Sequence, residues 1–278
     1  MEFTSAAARQ RYDAIVAHAD EIVVGLDFDG VLSPIVEDPT QAHIHPDAPQ
    51  ALVDLSDLVR AVAVVTGRPA RQVLALGGLD EVGDAIGDHG KELFVFGQYG
   101  NERWSSTQRR VISPRPPHGL STFERELPSL LRRSRASGAY IEEKGLAVAV
   151  HTRRLEDANE AFERLLAPMS ELARLHGLVV EPGRNVIEVR SDGQHKGHAV
   201  ETLVKEQNAG GFLFAGDDLG DVEAFEAVAE LRERGLPTLL VCAASDEQSV
   251  LLPLADVVVP GADGVMDLLR RFIADVRA

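Results

Sequence analysis

The chain has 278 residues, of which 45 % are hydrophobic and 26 % charged, and its formal net charge is −16. This length and composition allow one large domain or two smaller ones, with a substantial buried core. The acidic excess repels polyanions, so we expect neither nucleic acid nor an anionic membrane surface as a partner. The single cysteine, Cys242, excludes an internal disulfide and a cysteine-based zinc cluster.

Two features of the hydropathy pattern bear on cellular location. No apolar run approaches the roughly 20 residues that a membrane-spanning helix needs. Residues 1–21 mix charges throughout and lack the apolar segment of a signal peptide. The sequence therefore predicts a soluble, cytoplasmic protein.

Helices and strands alternate over the first part of the chain, as in a parallel sheet covered on both faces. Continuous apolar runs of strand length predict strands that are buried on both faces. The predicted elements are, in chain order, a helix over 5–19, a strand over 21–28, a helix over 48–59, a strand over 61–67, a helix over 71–78 and a candidate third strand over 84–90.

The same alternation returns near the C-terminus. The predicted elements there are a helix over 196–208, a strand over 211–218, a helix over 220–231 and a strand over 237–243, and the segments 256–261 and 264–276 close the chain. These two stretches predict an α/β fold with a Rossmann-like parallel-sheet core. The core is built from two parts, 1–113 and 191–278.

The middle of the chain has a different pattern. A proline-rich break, SPRPPHG over 113–119, is typical of a domain boundary. Alternation of apolar and polar residues over 185–190 indicates a half-exposed antiparallel strand. We therefore expect an inserted α+β domain over 114–190. Its predicted elements are a helix over 121–134, a strand pair within 139–153, a helix over 156–175 and strands over 177–183 and 185–190.

Two acids, Asp27 and Asp29, end the first predicted strand in the stretch VVGLDFDGVLSPI. On an extended strand these residues face the same way, roughly 6.5–7 Å apart, and Phe28 points oppositely into the hydrophobic layer. The carboxyl ends of parallel strands are where open α/β sheets bind ligands. Gly30 allows the backbone to turn and approach a ligand. The pair is either half of a reaction centre or an ordinary acidic turn.

A hydroxyl and a lysine occupy two further loop ends. Thr66 and Gly67 follow the second predicted strand, where the hydroxyl and the adjacent amides can donate to a phosphate oxygen. Lys196 stands just before a predicted helix, where an ammonium gains nothing from the helix dipole unless an anion lies between them. A plain strand-to-turn threonine and a solvated lysine are the alternatives for either position alone.

An acid cluster follows the strand over 211–218. Asp217, Asp218 and Asp221 repel one another unless a cation or hydrogen bonds relieve them. Helix capping by Asp218 and a dipole contact for Asp221 explain part of the cluster without metal. Mg²⁺ takes one or two carboxylates together with substrate oxygens and water, and Asp27 with Asp217 would suffice for it.

The acid pair, hydroxyl, lysine and acid cluster follow one another in chain order. This set resembles the haloacid dehalogenase superfamily of aspartate-nucleophile phosphatases, and the resemblance covers both core parts. It implies a core of the haloacid dehalogenase type with an inserted cap. The implied roles are Asp27 as nucleophile, Asp29 as general acid and base, Thr66, Gly67 and Lys196 as phosphate-binding residues, and Asp217 and Asp218 as Mg²⁺ ligands beside Asp27 and the Asp29 carbonyl.

The inserted domain carries a second, more specific resemblance. The stretches over 97–104, 142–153 and 181–190, together with DFDGVLSPI, are similar to the trehalose-phosphatase family. This resemblance implies that Glu142, Lys144 and Glu188 bind sugar hydroxyls. The alternative for each of them is a solvated strand-edge charge, and Trp104 either stacks on a sugar or packs in the structure.

The two resemblances imply a magnesium-dependent phosphatase that hydrolyses trehalose 6-phosphate through an aspartyl-phosphate, the last step of trehalose biosynthesis. A phosphatase of the same fold acting on another sugar phosphate is one alternative. A non-catalytic module that binds a sugar phosphate is another, of a different class. The expected partner is a small-molecule sugar phosphate and the expected state a monomer, and a functional link to a trehalose-6-phosphate synthase stays open.

Overall fold

The computed structural model describes residues 2–36, 38–183, 185–193, 195–244 and 250–278. The chain divides into two compact units. The first unit combines residues 1–113 with 195–278, and the second unit consists of residues 114–194. The second unit thus ends at 194, where the sequence predicts 190.

The first unit is built on an eight-stranded sheet in the order β1-β12-β11-β10-β2-β3-β4-β5. Its strands, numbered along the whole chain, are β1 (Glu2–Phe3), β2 (Ile22–Leu26), β3 (Ala61–Val65), β4 (Leu93–Gly97), β5 (Glu102–Ser105), β10 (Gly211–Gly216), β11 (Thr238–Ala244) and β12 (Val257–Pro260). The six inner strands are parallel. The two outer strands, β1 and β5, pair antiparallel with their neighbours.

Helices cover both faces of this sheet. They are α1 (Ala6–Ala17), α2 (Ala48–Ser56), α3 (Ala70–Gly77), α4 (Leu79–Asp88), α7 (Gly197–Gln207), α8 (Val222–Glu233) and α9 (Gly261–Arg277). Residues of α1 to α4 and α9 share one core cluster. Residues of α7 and α8 form the core on the other face. No helix in the described ranges is both long and apolar enough to cross a membrane.

Strand β2 shows why a continuous apolar run is required at the centre of the sheet. Ile22 and Val24 enter the first core cluster, and Val23 enters the cluster on the opposite face. All three residues are fully buried. Because each face of the strand meets a helix layer, no position on the strand is free to be polar until the strand ends. The predicted α/β core is confirmed.

The strand that follows β3 is not where the sequence predicts it. The sequence predicts a strand over 84–90, but α4 occupies Leu79–Asp88 and the next strand is β4. Leu79, Val82 and Ile86 are buried at helical spacing, and this pattern extends upstream of the seven residues used for the prediction. The prediction of a strand over 84–90 is therefore wrong.

The second unit is an antiparallel sheet packed on two helices. The four strands, in the order β6-β7-β9-β8, are β6 (Tyr140–Glu143), β7 (Ala147–His151), β8 (Val179–Gly183) and β9 (Val186–Arg190). The helices are α5 (Leu120–Arg133) and α6 (Ala158–Leu175). Val148, Val150, Ile187 and Val189 lie on the apolar face of the sheet and form one core with both helices. This is the predicted α+β composition.

Candidate active site

The first acid of the sequence motif lies at the carboxyl end of the central strand. Strand β2 ends at Leu26, and Asp27 follows it directly. Asp27 is 4 % exposed, and its Oδ1 accepts a 2.7 Å hydrogen bond from the Phe28 amide. The chain turns at this point, so Asp29 lies in the turn and not on an extended strand as expected. Phe28 is fully buried in the core, as predicted.

Lys196 reaches Asp27 from the start of another element. Helix α7 begins at Gly197, immediately after the lysine. The Lys196 Nζ lies 2.8 Å from Asp27 Oδ1 and 2.7 Å from Asp221 Oδ1. Burial opposes the charged form of the lysine, but the carboxylates of Asp221 and Asp27 outweigh burial and raise the pKa of Lys196 well above its usual value. The ammonium is therefore a fixed positive charge beside Asp27.

Asp217 follows strand β10, the neighbour of β2 in the sheet. Its amide donates a 3.0 Å hydrogen bond to Asp221 Oδ2, so Asp221 is bound on one oxygen by the lysine and on the other by the loop. Gly30 has a φ of +71°, and a Cβ at this position would overlap the Asp217 carboxylate. Glycine is therefore required at position 30 both for its backbone conformation and for the close approach of Asp217.

Three buried carboxylates, those of Asp27, Asp217 and Asp221, bring oxygens within 4.8 Å of one another. Burial, followed by the charge of Asp27, raises the pKa of Asp217 to about 10. If all three acids were ionised, their negative charge would exceed the one positive charge of Lys196, and a bound cation would favour that ionised form. Hard oxygen donors suit Mg²⁺, so these residues fit that ion. Asp218, the other predicted ligand, is exposed and accepts a hydrogen bond from the Gly220 amide.

Thr66 follows strand β3, on the other side of β2. It is 1 % exposed, and its amide donates to the Phe96 carbonyl at 2.9 Å. Its hydroxyl oxygen accepts a 3.1 Å hydrogen bond from the Arg68 amide, which leaves the hydroxyl proton available for donation. Gly67 lies against the Tyr99 ring, and a side chain on Gly67 would collide with that ring. The predicted phosphate loop is therefore packed at the carboxyl end of β3, the strand next to the one that Asp27 follows.

A left-handed turn after β4 holds this loop in place. Gln98 and Tyr99 have φ values of 50° and 57°, a conformation that costs residues other than glycine about 1–2 kcal/mol each. The Gln98 amide donates to the Arg68 carbonyl at 2.9 Å, and the Tyr99 amide donates to the Thr66 carbonyl at 3.0 Å. The strained turn therefore belongs to the site, because its amides fix the backbone that carries Thr66.

The second acid of the motif makes a separate ion pair. Arg68 Nε lies 2.6 Å from Asp29 Oδ2, and Arg68 Nη2 lies 2.7 Å from Asp29 Oδ1. The third nitrogen, Nη1, donates to the Pro39 carbonyl at 2.9 Å. Two parallel hydrogen bonds between a guanidinium and a carboxylate set both the position and the plane of the acid. Asp27 and Asp29 are thus held by different cations.

The stretch over 97–104 has a structural role in the first unit. Glu102 Oε2 accepts a 2.7 Å hydrogen bond from the Ala70 amide, at the first residue of α3. Trp104 is 4 % exposed and belongs to the core cluster. Of the two alternatives for Trp104, packing is the one observed, because its ring is covered by core residues.

The second unit carries its charged residues on one face of the sheet. Residues aligned across neighbouring strands lie on the same face. The aligned set across β6, β7, β9 and β8 is Glu142, Ala149, Glu188 and Glu181. Lys144 Nζ donates to Glu188 Oε2 at 2.6 Å, and His151 Nε2 lies 2.9 Å from Glu142 Oε2. The three predicted sugar-binding residues are therefore on or beside one sheet face and are already paired.

The two carboxylate oxygens of Glu188 differ: Oε2 accepts the hydrogen bond from Lys144, and Oε1 accepts none from the described residues. Glu188 is 6 % exposed, as is Arg190, so the charged face of β9 is more buried than the predicted half-exposed strand. Arg190 Nη2 donates to Glu181 Oε2 at 3.0 Å, and Arg190 Nε lies 3.9 Å from Glu188 Oε1. Within the described part of the chain, Glu188 Oε1 has no hydrogen-bond partner. A buried carboxylate oxygen in this position can accept a hydrogen bond from a ligand hydroxyl.

The structure brings Asp27, Lys196 and Asp217 together, and Asp218 is exposed but close enough for its charge to raise the pKa of Asp217 further. Sequence reasoning missed two partners. Arg68 follows Thr66 and Gly67 directly. A cation at the end of a predicted phosphate loop is the sequence signal by which it could be found. The binding of Asp221 to Lys196 had no sequence signal, because the two residues are distant in the chain and meet only through the fold.

The comparisons with known proteins agree with this arrangement. A parallel sheet with acids at the ends of β2 and β10, interrupted by an α+β unit, is the haloacid dehalogenase type of fold. Residues 25–254 match the model of the family described as trehalose-phosphatase. The chain belongs to the trehalose-phosphatase family.

Individual relatives differ in how much of their length the chain covers. A probable trehalose-phosphate phosphatase G of Arabidopsis thaliana is 30 % identical over 277 residues, covering 92 % of this chain and 71 % of the relative. An uncharacterized glycosyl hydrolase of Mycobacterium tuberculosis is 34 % identical over 213 residues, 74 % of this chain, but the chain spans only 15 % of that protein. The trehalose-6-phosphate phosphatase C-terminal domain of C. albicans superposes with a TM-score of 0.78 at 17 % identity, covering 98 % of both chains.

Proposed function

We propose that this protein is a phosphatase that hydrolyses trehalose 6-phosphate to trehalose and phosphate, the last step of trehalose biosynthesis. The observation that carries the proposal is the buried Asp27 carboxylate, in contact with Lys196 and clustered with Asp217 at the ends of neighbouring strands. A chain that only bound sugar phosphates would gain nothing from burying a carboxylate where a phosphate dianion must approach.

Asp27 is the proposed nucleophile. Its carboxylate oxygen attacks phosphorus, the bond from phosphorus to the sugar oxygen breaks, and an aspartyl-phosphate forms. Lys196, the Thr66 hydroxyl and the Gly67 amide offset the charge on the transferring phosphoryl group. The lysine is suited to this role because its ammonium is fixed and buried, so its charge is little screened by water.

Asp29 is the proposed general acid and base. In the first step it donates a proton to the departing sugar oxygen. In the second step its carboxylate takes a proton from the water that attacks phosphorus, the bond to Asp27 breaks, and phosphate leaves. The two steps together consume one ester and one water and release one alcohol and one phosphate.

Mg²⁺ is the proposed cofactor, and Asp27 and Asp217 are its proposed side-chain ligands, with the Asp29 carbonyl. Of the two remaining acids, Asp221 lies within the carboxylate cluster, whereas the case for Asp218 rests on the sequence. When bound, the ion would neutralise negative charge on the phosphoryl oxygens.

We expect Mg²⁺ to stabilise the folded protein through Asp217. A free Mg²⁺ concentration about 100 times the dissociation constant adds about 2.7 kcal/mol to the free energy of unfolding. Asp217→Asn should raise the melting temperature in EDTA, because it removes a carboxylate whose pKa burial and Asp27 raise to about 10. It should also abolish the rise caused by Mg²⁺. Differential scanning calorimetry in EDTA and in Mg²⁺ measures both effects.

The matched variants are Asp218→Asn and Asp221→Asn, measured in the same way. Loss of the Mg²⁺ shift in one and not the other identifies the further acid at the metal. An unchanged Mg²⁺ shift in Asp217→Asn would remove Asp217 from the proposed metal site.

The sugar is proposed to bind on the charged face of the second unit. Carboxylates accept hydrogen bonds from vicinal hydroxyls and an ammonium donates to hydroxyl oxygens, and Glu142, Lys144 and Glu188 supply these groups. The open Oε1 of Glu188 supports this role. Because Lys144 and His151 already hold the two carboxylates, little side-chain entropy is lost when a sugar binds.

Lys144→Ala tests the sugar site selectively. We expect kcat/KM for trehalose 6-phosphate to fall about 10- to 100-fold, the value of one or two charge-assisted hydrogen bonds, whereas p-nitrophenyl phosphate, which has no sugar, keeps its rate. The control is Glu143→Ala, because Glu143 is the exposed residue directly before Lys144, at the end of β6. Equal losses with both substrates would remove Lys144 from the sugar site.

The activity itself is tested by phosphate release from a panel of sugar phosphates, with Mg²⁺ and with EDTA. The panel includes trehalose 6-phosphate, sucrose 6-phosphate and glucose 6-phosphate. A preference for trehalose 6-phosphate that needs Mg²⁺ is the expected result. A preference for another ester would favour the second phosphatase hypothesis, and inactivity on all of them would favour a binding module. Sedimentation of the same sample tests the expected monomer.

A further inference from the structure

We infer that Arg68 is a positioning residue for the reaction, and that it holds Asp29 in the place from which Asp29 moves protons. The inference rests on the proposed acid and base role of Asp29. Neither the motif pattern nor the family resemblance points to Arg68. The contact that carries it is the bidentate pair, at 2.6 and 2.7 Å, between the guanidinium and both oxygens of Asp29.

The Asp29 carboxylate needs such a partner because its own surroundings do not fix it. Its side chain is 39 % exposed, against 12 % for that of Arg68. Asp29 lies in the turn after β2, outside the named strands, where its backbone forms an isolated bridge with Ser33 but its carboxylate projects beyond the sheet's core. Proton transfer requires heavy atoms within about 2.6–3.2 Å, and an error of about 1 Å costs about 10²-fold in rate. A freely rotating carboxylate would rarely meet this requirement.

Arg68 is itself anchored from three sides. Its amide donates to the Thr66 hydroxyl at 3.1 Å, and its carbonyl accepts from the Gln98 amide at 2.9 Å. Its Nη1 donates to the Pro39 carbonyl at 2.9 Å. The guanidinium is therefore tied to the loop that carries Thr66. One residue, Arg68, thus fixes the position of the proposed acid relative to the proposed phosphate loop.

The pair leaves Asp29 able to react. An ionised carboxylate has about four lone-pair sites, and the guanidinium occupies one on each oxygen. The remaining sites are open to a water or to the sugar oxygen. A lysine would bind one oxygen as a point charge and leave the plane of the carboxylate free to rotate. Arg68→Lys should therefore restore only part of the function that Arg68→Ala removes.

Two substrates separate positioning of the acid from damage to the site. A sugar alkoxide must be protonated as it leaves, whereas p-nitrophenolate is a weak base and leaves without a proton. The aspartyl-phosphate on Asp27 is the same from either substrate, and its hydrolysis needs a base in both cases. In Mg²⁺, Arg68→Ala should lower kcat for trehalose 6-phosphate about 10²-fold with KM changed less than about threefold. With p-nitrophenyl phosphate it should give a rapid burst of one nitrophenolate per enzyme, followed by slow turnover.

Three further measurements make the test decisive. Arg71→Ala removes an exposed arginine three residues away and should leave both reactions unchanged. Orthovanadate should inhibit Arg68→Ala as strongly as the unmodified protein, because the phosphate loop is intact. Arg68→Ala combined with Asp29→Asn should be no slower than Asp29→Asn alone, because the arginine acts only through Asp29.

The inference is overturned if the first turnover of p-nitrophenyl phosphate falls as much as that of trehalose 6-phosphate, since the arginine would then support the phosphate loop. It is also overturned if the two substitutions add fully. A failure of the Asp29 role is distinguishable from both, because Asp29→Asn alone would then give neither the burst nor a selective loss on the sugar ester.

Discussion

Asp27→Asn abolishes turnover of trehalose 6-phosphate, with an expected loss of about 10⁴-fold or more, because the amide cannot form the aspartyl-phosphate. The fold should survive this change. The asparagine oxygen can still accept from the Phe28 amide and from Lys196. Removing one of three buried, mutually repelling carboxylates also favours the metal-free folded state. Phosphate release and calorimetry measure the two effects.

The Asp27→Asn protein should still bind trehalose 6-phosphate, which isothermal titration calorimetry detects. Asp20→Asn is the matched control, because Asp20 is an exposed acid shortly before the same strand and should leave turnover unchanged. Retention of more than a few per cent of activity in freshly prepared Asp27→Asn would show that Asp27 is not the nucleophile. Lost binding together with lost folding would make the variant uninformative about chemistry, and Asp27→Ala replaces it in that event.

Lys196→Met is expected to lower the free energy of unfolding by about 3–5 kcal/mol at neutral pH without Mg²⁺, as when one partner of a buried ion pair is removed. Because Asp221 and Asp27 raise the pKa of Lys196 above its usual value of 10.5, the lysine stays charged at every pH below that value, and its own titration adds no pH dependence between pH 5 and pH 8. In the variant the buried acids lose their cation. Acidification toward pH 5 should therefore shrink the difference, because protonation removes their charge.

Urea unfolding in EDTA at pH 5 and pH 8 measures the effect of Lys196→Met. Lys205→Met is the matched control on the same helix, and its exposed side chain should change the free energy of unfolding by less than about 0.5 kcal/mol. Adding Asp221→Asn to Lys196→Met should recover part of the loss, because it removes one uncompensated charge. A loss that is equal at both pH values would mean that packing, and not charge, is the lysine's contribution.

Much of the core could be predicted from the sequence because the physical requirement there is local. A strand with helices on both faces must be apolar at every position, so the continuous apolar runs at β2 and β10 (Gly211–Gly216) predict buried strands. The first polar residues after each run, Asp27 and Asp217, then stand at the same edge of the sheet. The lysine before α7 is found in the same way, since its place follows from the start of a helix.

What the sequence could not supply depends on partners distant in the chain. A seven-residue stretch does not distinguish a strand from the end of a helix, so the predicted strand over 84–90 is in fact the end of α4. Spacing also cannot show which cation meets which acid. That Asp29 pairs with Arg68, and Asp27 with Lys196, follows from the fold, which brings together residues at the carboxyl ends of different strands. The strained conformation of Tyr99 is likewise invisible, because its cost is offset by contacts that only the fold provides.

The discontinuity of the first unit sets the order in which the protein can be assembled on the ribosome. Strand β2 pairs with β10, with Val24 opposite Leu213, so the central pair joins segments separated by the whole of the second unit. The second unit is contiguous and can fold while the rest is being synthesised. The first unit has contacts of high sequence separation, which form slowly. Strand β2 can pair with β3 early in synthesis, but the central pair of the sheet cannot form until β10 has been made.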